Sequence, residues 1–542
     1  MKSDPDEPIS ESAREWIEIA CRGRIEYDFA MDRLVLSDDV SLTHHTPLPE
    51  HDQFDCQRLT VDLREPNNRD LPRESPTDWL RNITAEGLPA IARLRTRDSE
   101  IAANTIQLDA QGGWLRATGP RGIGLRVGLF GATLRQLEYQ FDTANPKAAG
   151  RLIADGPGRM ISQDPQQSIK EVRWNSHLEL RPAPTDAADQ HGTKRQPMEL
   201  LVDGGIDATF TDQGSATAES IRGLVIADSR NKPMQFIPQR FTAAGAVAID
   251  TSKLAVQTKR LAVDFVETAQ PKAINSDEDT SGVMRTWVAQ PVSTRTTTVK
   301  PIARSRPTVR GDTIAVQMAR GGDWEVQDLS VNGNVQLNHQ LEARGKTLLA
   351  NLEGQKLRLG TVDGQDILYL GSGPEAPARL KLADGYFVGP EIQIWLDLNI
   401  VQINQAGEFQ LPTEMLPRAI SLGAVAEQDS QAASNVVWKT PPRCRFEGGM
   451  SFDGRRVLLN GGVLIDAEFT HQQQPWTISM RGESLIALLD SSVQLRDMQS
   501  LRQAVIQSIT LVESQAYPVV VEAEQRSSDG VKEAKHVLQM PQ

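Results

Sequence analysis

The feature that most constrains this chain is a period-two alternation of apolar and polar residues, interrupted at intervals by glycine or a polar turn. In "FTAAGAVAIDTSKLAVQTKRLAVDF", Phe241 to Phe265, Val247 and Ile249 fall on one face of an extended strand. Leu254 and Val256 follow the "DTSK" break, and Leu261, Val263 and Phe265 form a third alternating set. A helix would need apolar residues three and four apart. The break fits a turn, because Asp, Thr and Ser side chains bond nearby backbone and help reverse the chain. The stretch predicts three short strands, each with one apolar face that a neighbour must cover.

The pattern recurs, and recurrence points to a repeat architecture. "CRGRIEYDFAMDRLVLSDDVSLTHH" followed by "FDCQRLTVDL", from Cys21 to Leu63, contains a glycine, an alternating strand, a turn at Met31-Asp32 and a closing L-x-V-x-L. "WEVQDLSVNGNVQLNH", with Gly333, Val335 and Leu337, repeats it, as does "CRFEGGMSFDGRRVLLNGGVLIDAEF", Cys444 to Phe469. Met198 to Ala227 is a looser copy. A longer echo, one stretch leading to Trp174 and the other to Trp438, suggests two related halves. Residues 268–310 lose the alternation and gain Pro, Thr and charge, as a linker or long loop would. The expected organisation is a β unit at 1–66, a linker at 67–90, a first repeat block at 91–267, the linker at 268–310 and a second block at 311–542.

The repeat length is uneven and no inward polar ladder is visible, so a regular parallel β-helix fits poorly. Antiparallel strands joined by tight turns fit better. The expected fold is all-β and repetitive, mainly antiparallel strands in stacked folded-over units of jelly-roll type, elongated, with few short helices. "TDWLRNIT" near Trp79 is a helix candidate, and "SLRQAVIQSITLVES" near Leu501 could be helix or strand.

At 542 residues, 39% hydrophobic and 5% aromatic, the chain has material for two or more cores. A net charge of -13 repels a phosphate backbone, so nucleic acid is not an expected partner. No apolar run reaches the length of a membrane-spanning helix, and "MKSDPDEPISESAREW" contains no apolar signal core. Cys21, Cys56 and Cys444 are too few for a disulfide framework or a zinc site. Cys21 and Cys56 lie in neighbouring expected strands, which leaves their pairing open.

Motifs for chemistry are weak. "GPGRM" at Gly156 and "GSGPEAP" at Gly371 lack the Lys-Ser/Thr ending of a phosphate loop and read as turns. "SDEDTSG" at Ser276 has calcium-loop spacing at its start, but Val288 stands where a bidentate Glu is required. His44, His45, Glu50 and His51 could gather around a metal, yet adjacent residues of a strand face opposite ways. No nucleophile elbow or zinc-protease helix occurs. The expectation is a non-enzymatic protein without cofactor or metal.

The segments "A-x-G-x-V-x-I-D-T" into "L-x-V-x-F", and "F-E-G-G-M-S-F-D-G-R-R-V-L-L-N-G-G-V", resemble units of the OstA-like (LptA-like) family, which carries lipopolysaccharide across the bacterial envelope. The resemblance covers several units over most of the chain outside the linkers. It implies a folded-over antiparallel sheet whose inner walls shield acyl chains, units joined edge to edge, and a periplasmic or envelope location. On this reading Val247, Ile249, Leu254, Val256, Leu261, Val263, Phe265, Val335 and Leu337 line a lipid groove. The partners would be lipopolysaccharide or another amphipathic lipid, other envelope transport proteins added by edge strands, and possible self-association through the same edges. The same side chains would equally serve a dry core. A carbohydrate-binding or carbohydrate-active β-solenoid, or a cargo-free spacer, is the alternative reading.

Overall fold

A computed structural model describes residues 16–45, 51–63, 80–95, 98–141, 150–163, 169–184, 195–211, 214–228, 235–251, 255–267, 308–320, 325–343, 346–362, 365–373, 376–382, 385–395, 398–410, 436–471, 473–493, 504–526 and 532–539. Every regular element among them is a β-strand, and the ladders are antiparallel, as the alternation requires. The chain divides into two units, residues 1–252 with 260–265, and residues 253–259 with 266–542.

The first unit contains β1 (Trp16–Ala20), β2 (Ile25–Asp28), β3 (Arg33–His45), β4 (Asp52–Leu63), β5 (Leu80–Leu94), β6 (Ser99–Asp109), β7 (Trp114–Val127), β8 (Phe130–Gln140), β9 (Arg151–Asp155), β10 (Gly158–Ser162), β11 (Ile169–Trp174), β12 (His177–Pro182), β13 (Arg195–Phe210), β14 (Ser215–Asp228) and β15 (Gln235–Asp250). Strand β16 (Ala255–Glu267) contributes residues to both units. From β3 to β8 each strand pairs with the next. Elsewhere two short strands share one long neighbour: β1 and β2 flank β3, β9 and β10 flank β8, and β11 and β12 flank β13.

A line of register shifts explains this arrangement. The ladder slips between Ser37 and Val40, Asp55 and Arg58, Glu86 and Ala90, Ala102 and Thr105, and Thr118 and Ile123. It slips again between Asp203 and Ile206 and between Thr217 and Ser220. An extra residue bends its strand, and bends standing side by side crease the whole sheet. On one side of the crease Leu36, Leu59, Ala85, Ile106, Ala117 and Leu137 are successive cross-strand neighbours. On the other side lie Val40, Cys56, Ala90, Ala103, Ile123 and Leu134. None of the twelve is more than 7% exposed, and all belong to one hydrophobic cluster. With no helix among the described residues to cover them, the two arms of the creased sheet cover each other. Each fully buried Leu or Ile in this cluster contributes about 1.5–3 kcal/mol relative to exposure.

The second unit contains β17 (Thr308–Arg320), β18 (Glu325–Ala343), β19 (Lys346–Val362), β20 (Gln365–Gly371), β21 (Ala378–Leu382), β22 (Gly385–Gly389), β23 (Glu391–Trp395), β24 (Ile400–Ile403), β25 (Gly407–Gln410), β26 (Val436–Phe446), β27 (Gly449–Phe452), β28 (Arg456–His471), β29 (Gln474–Leu489), β30 (Ile506–Val512), β31 (Val520–Arg526) and β32 (Lys532–Gln539). Between β19 and β28 every strand is broken at the crease. Strands β20, β23, β24 and β27 pair in succession as one arm, and β21, β22, β25 and β26 as the other. The inner row of the second arm runs Val309, Leu337, Leu352, Leu380, Phe387, Phe409, Cys444, Ile465 and Met480.

Four long strands turn the corner with one local device. Ser37-Asp38-Asp39-Val40, Asp203-Gly204-Gly205-Ile206, Asn332-Gly333-Asn334-Val335 and Asn460-Gly461-Gly462-Val463 each place two residues at positive φ between a polar residue and a buried β-branched one. Glycine tolerates this backbone freely, and Asp and Asn tolerate it better than other side chains.

Three local expectations change. The helix expected in "TDWLRNIT" is absent from its described part: residues 80–84 open β5, where Ile83 pairs between Val61 and Leu108, so period-two burial prevails. They also place strand structure inside the stretch read as a linker at 67–90. Phe241 to Phe265 supplies two strands, β15 and β16, because Val256, Leu261, Val263 and Phe265 share the second. Cys21 and Cys56 are both free thiols. Ala20 pairs with Ser41, which carries Cys21 level with Val40, and Cys56 pairs with Val40 from the other side. Two strand spacings, roughly 9–10 Å, separate the two cysteines, beyond disulfide reach.

Candidate functional site

The candidate site is the apolar lining between the folded arms. Accessibility one pleat out from the crease is mixed: Val61, Ala92, Ile101 and Ala208 stay buried, but their row neighbours are more open. One pleat further out than the sealed rows, Leu34, Ile83, Leu115 and Leu152 on one arm, and Leu42, Phe54, Leu125, Met160 and Val172 on the other, are half-buried while still packed against the core. Cross-strand pairing makes the second series continuous: Leu42, Phe54, Ala92, Ile101, Leu125, Ala132, Met160, Val172, Ala208, Ala216 and Ile249 are neighbours in turn.

The lining runs to the last described strand of each unit. In the first unit Ile25 pairs with Leu36, Tyr27 with Leu34 and Ile19 with Leu42, so all three continue the inner face onto edge strands. Ile25 is nevertheless 66% exposed. In the second unit Ile509 continues the row of Ala487 at the edge strand β30 and is 48% exposed. Phe29 and Met31, in the turn after β2, are more open still than the lining inside the ladder.

The residues expected to line a groove divide accordingly. Val247, Val256, Leu261 and Val335 are buried, whereas Ile249, Val263, Phe265 and Leu337 are half-buried. Phe265 packs edge-on against Phe241 at 5.9 Å between ring centres. Leu254 lies outside the described residues. Ile249 and Leu337 each stand in a long inner row, the first with Ala216 and the second between Val309 and Leu352.

Charge is kept on the opposite face. Arg159 and Arg173 alternate with Met160 and Val172, which turn inward, so the arginines point out, where both bond Glu171. Those hydrogen bonds, Arg159 first, hold the Glu171 carboxyl down at about 2. Glu179, also on the outer face, bonds Arg151 at 2.6 Å and lies 3.6 Å from Arg181, and its carboxyl is likewise lowered, mainly by Arg151. Tyrosines pin carboxylates in the same manner: Tyr386 donates to Glu408 at 2.5 Å and Tyr369 to Glu391 at 3.1 Å.

Among the described residues, two buried thiols and the two glycine turns singled out in the sequence are engaged or shielded. Burial pushes the Cys56 thiol up to about 11 and the Cys444 thiol up to about 12, leaving almost no thiolate at neutral pH. The backbone amides of the glycine turns are already used. Gly156 donates to Ser176, Ser372 to Pro390 and Gly373 to Ala376, so these amides do not form a phosphate cradle. A cleft of about 590 Å³ opens where β20 to β27 are broken, lined by Ser372, Pro377, Val388, Pro390, Phe446, Glu408 and Arg445 among others. Its charges are spoken for, Glu408 by Arg443 and Tyr386, and Arg445 by Asp466. Among the described residues no cluster of three His, Cys, Asp or Glu side chains is placed to hold a metal ion. Glu50 and the Ser276 loop lie outside the described residues.

Sequence reasoning marked the apolar face of the strands but not how burial varies along it or its exposed edge positions. The four-residue corner was readable, since a polar residue, two of Gly, Asn or Asp, and then Val or Ile recur in the copied units. That variation was not readable, because Ile106 and Leu108 have identical local patterns and differ only in distance from the crease.

No family model matches this chain, and no curated protein matches it.

Proposed function

We propose that this protein is a non-catalytic envelope component that binds or conducts lipid acyl chains between the arms of its creased sheet. One observation carries the reading: within each unit the apolar inner face is sealed at the crease and continues to exposed edge-strand positions, Ile19, Ile25 and Tyr27 in the first unit and Ile509 in the second, with half-buried positions such as Leu34, Leu42, Phe54 and Leu125 along the way in the first. A dry core needs no such continuation onto edge strands. Shielding an acyl chain of a dozen carbons from water requires on the order of 10 kcal/mol, at about 0.8 kcal/mol per methylene, which aliphatic walls supply without aromatic platforms. The cargo class is lipopolysaccharide or another amphipathic lipid, and the working location is the periplasm or envelope. Other envelope transport proteins, or a second copy of the chain, would join by strand addition at the unpaired edges.

Photo-crosslinking amino acids at Ile249, Leu337 and Leu125 test this. Ultraviolet exposure in cells should yield lipid adducts at these half-buried positions and not at the buried Val335. Adducts only to the protein itself would establish a dry core and a spacer, and glycan adducts without lipid would favour the carbohydrate reading.

A further inference from the structure

Strand β11 ends on Trp174, whose indole is a polar exception in the crease row. Arg159 pairs with Thr133, which brings Gly158 level with Leu134. Gly158 pairs with Trp174, and Trp174 with Ile206, so the row that holds Ile123 and Leu134 continues through Gly158 and Trp174 to Ile206. The indole fills the space that the glycine leaves. A Cβ on Gly158 would stand 2.1 Å from Cζ2 of Trp174 and 2.4 Å from its Cε2, so the ring lies across β10. Trp174 is 2% exposed and belongs to the same hydrophobic cluster as the rest of the row.

This placement leaves the Nε1–H with nothing to donate to. The atom is buried and has no hydrogen-bond partner among the described residues. An indole N–H can only donate, and buried ones ordinarily find an acceptor, because an unpaired donor forfeits its hydration without return. Packing over Gly158 needs only an aromatic ring, which phenylalanine would supply without that cost. Leu134, Gly158 and Ile206 carry no side-chain oxygen, and the backbones of β10 and β13 on either side are engaged in the ladders. The acceptor must come from outside the chain. One pleat out, roughly 7 Å along the strands, the paired Met160 and Val172 are half-buried in the lining. The sheet is also least continuous here within the first unit, since β9 and β12 on one arm and β10 and β11 on the other stop at the crease.

We propose that Trp174 is the hydrogen-bond donor for the guest. The carbonyl oxygen of an ester- or amide-linked acyl chain lying against Met160 and Val172 accepts from Nε1. The inference rests on the acyl-groove reading above and narrows it, from any apolar chain to one with a carbonyl at its head end. A bare hydrocarbon gains nothing from the indole.

NMR of the full chain with isotope-labelled tryptophan tests it. Nine indole N–H signals are expected, and Trp174→Phe identifies the one in question. Methyl dodecanoate should move that proton downfield, and tetradecane, of equal chain length, should not. Trp174→Phe should weaken binding of the ester about threefold to tenfold, the worth of one hydrogen bond, and leave the affinity for tetradecane unchanged. Benzothienylalanine in place of Trp174, which keeps the ring shape and replaces N–H by sulfur, should do the same and guards against misfolding of the phenylalanine variant. If both probes bind while the signal stays put, or if the sulfur variant binds the ester as tightly as the wild type, the acyl groove stands and the role of Trp174 falls. If neither probe binds, both fall. A Trp174 signal already downfield in the free protein would identify a trapped water as its partner and would also overturn the proposal.

Discussion

Ile106 and Leu108 sit two residues apart on β6 and face the same way, yet the first is sealed and the second is half-buried. The same contrast separates Ala117 from Leu115 on β7 and Leu36 from Leu34 on β3. Crease-side residues meet the opposite arm; at these strands the next pleat out is only partly covered, whereas Val61, Ala92 and Ile101, equally far out, stay buried. The difference shows how one alternating pattern can hold the sheet folded along one line and leave apolar side chains partly open along another. Stability belongs to the crease row; on the proposed reading, binding would belong to the rows beyond it.

The sharpest way to break this contrast uses the thiols, because accessibility and ionisation act together. Cys56 lies in a sealed row and Cys444 in the corresponding core of the second unit, both pushed far above the usual thiol range by burial. At pH 8 a thiol displaced to about 11 presents roughly one thiolate in a thousand. Cys21 lies at the edge and is half-buried. Iodoacetamide followed by mass spectrometry should label Cys21 in the native protein, and all three cysteines only after denaturation. Native labelling of Cys56 as fast as Cys21 would mean that the crease opens and that the two rows are alike.

Cavities test the same contrast energetically. Leu59→Ala or Ile106→Ala should cost about 2–5 kcal/mol, read from the urea midpoint, because neither site can collapse between two arms. Leu115→Ala or Leu152→Ala should cost about half as much or less, since water already reaches them. Equal losses at all four positions would identify a core that is dry throughout.

Much of this was legible in the sequence. Period-two alternation gave the strands, and the recurring glycine units marked where β13, β18 and β28 turn. Asp38-Asp39 shows why β3 was harder to read. Two aspartates look like surface charge, but they take the left-handed backbone that Gly204-Gly205 takes in β13. The expected helix near Trp79 failed because eight residues do not reveal that Ile83 has partners on both sides. The Cys21–Cys56 pairing, which the sequence left open, is decided by register: adjacency in expected strands says nothing of the strand lying between them.

The corners themselves can be compared. A methyl group on Gly461 would stand 2.6 Å from the backbone nitrogen of Gly448, at a φ of 75°. Gly461→Ala should therefore cost about 1–3 kcal/mol. Asp39 already carries a side chain at a φ of 48°, beside the gap between the short strands β1 and β2. Asp39→Gly should change stability by no more than about 0.5 kcal/mol, as relief of local strain is offset by a freer unfolded chain. If both substitutions were neutral, the corner would be set by packing of Val40, Ile206, Val335 and Val463 and not by backbone conformation.

The smallest effect is expected on the outer face, where charge replaces burial. Glu171 bonds Arg159 and Arg173, whose side chains are about half exposed, so solvent and salt screen most of the attraction. Its carboxyl is depressed in the folded state, and its contribution is therefore complete above the ordinary value of 4.5 and lost as pH falls toward about 2. A carboxyl-resolved NMR titration should find the Glu171 midpoint near that low value, and Arg159→Gln with Arg173→Gln should return it toward 4.5. Urea midpoints at neutral pH should hardly move in the double variant, and molar salt should reduce even that difference. A large loss of stability would mean that the two faces share the work of holding the arms together. A small one leaves that work to the crease, and leaves the outer pairs to keep the sheet soluble and in register.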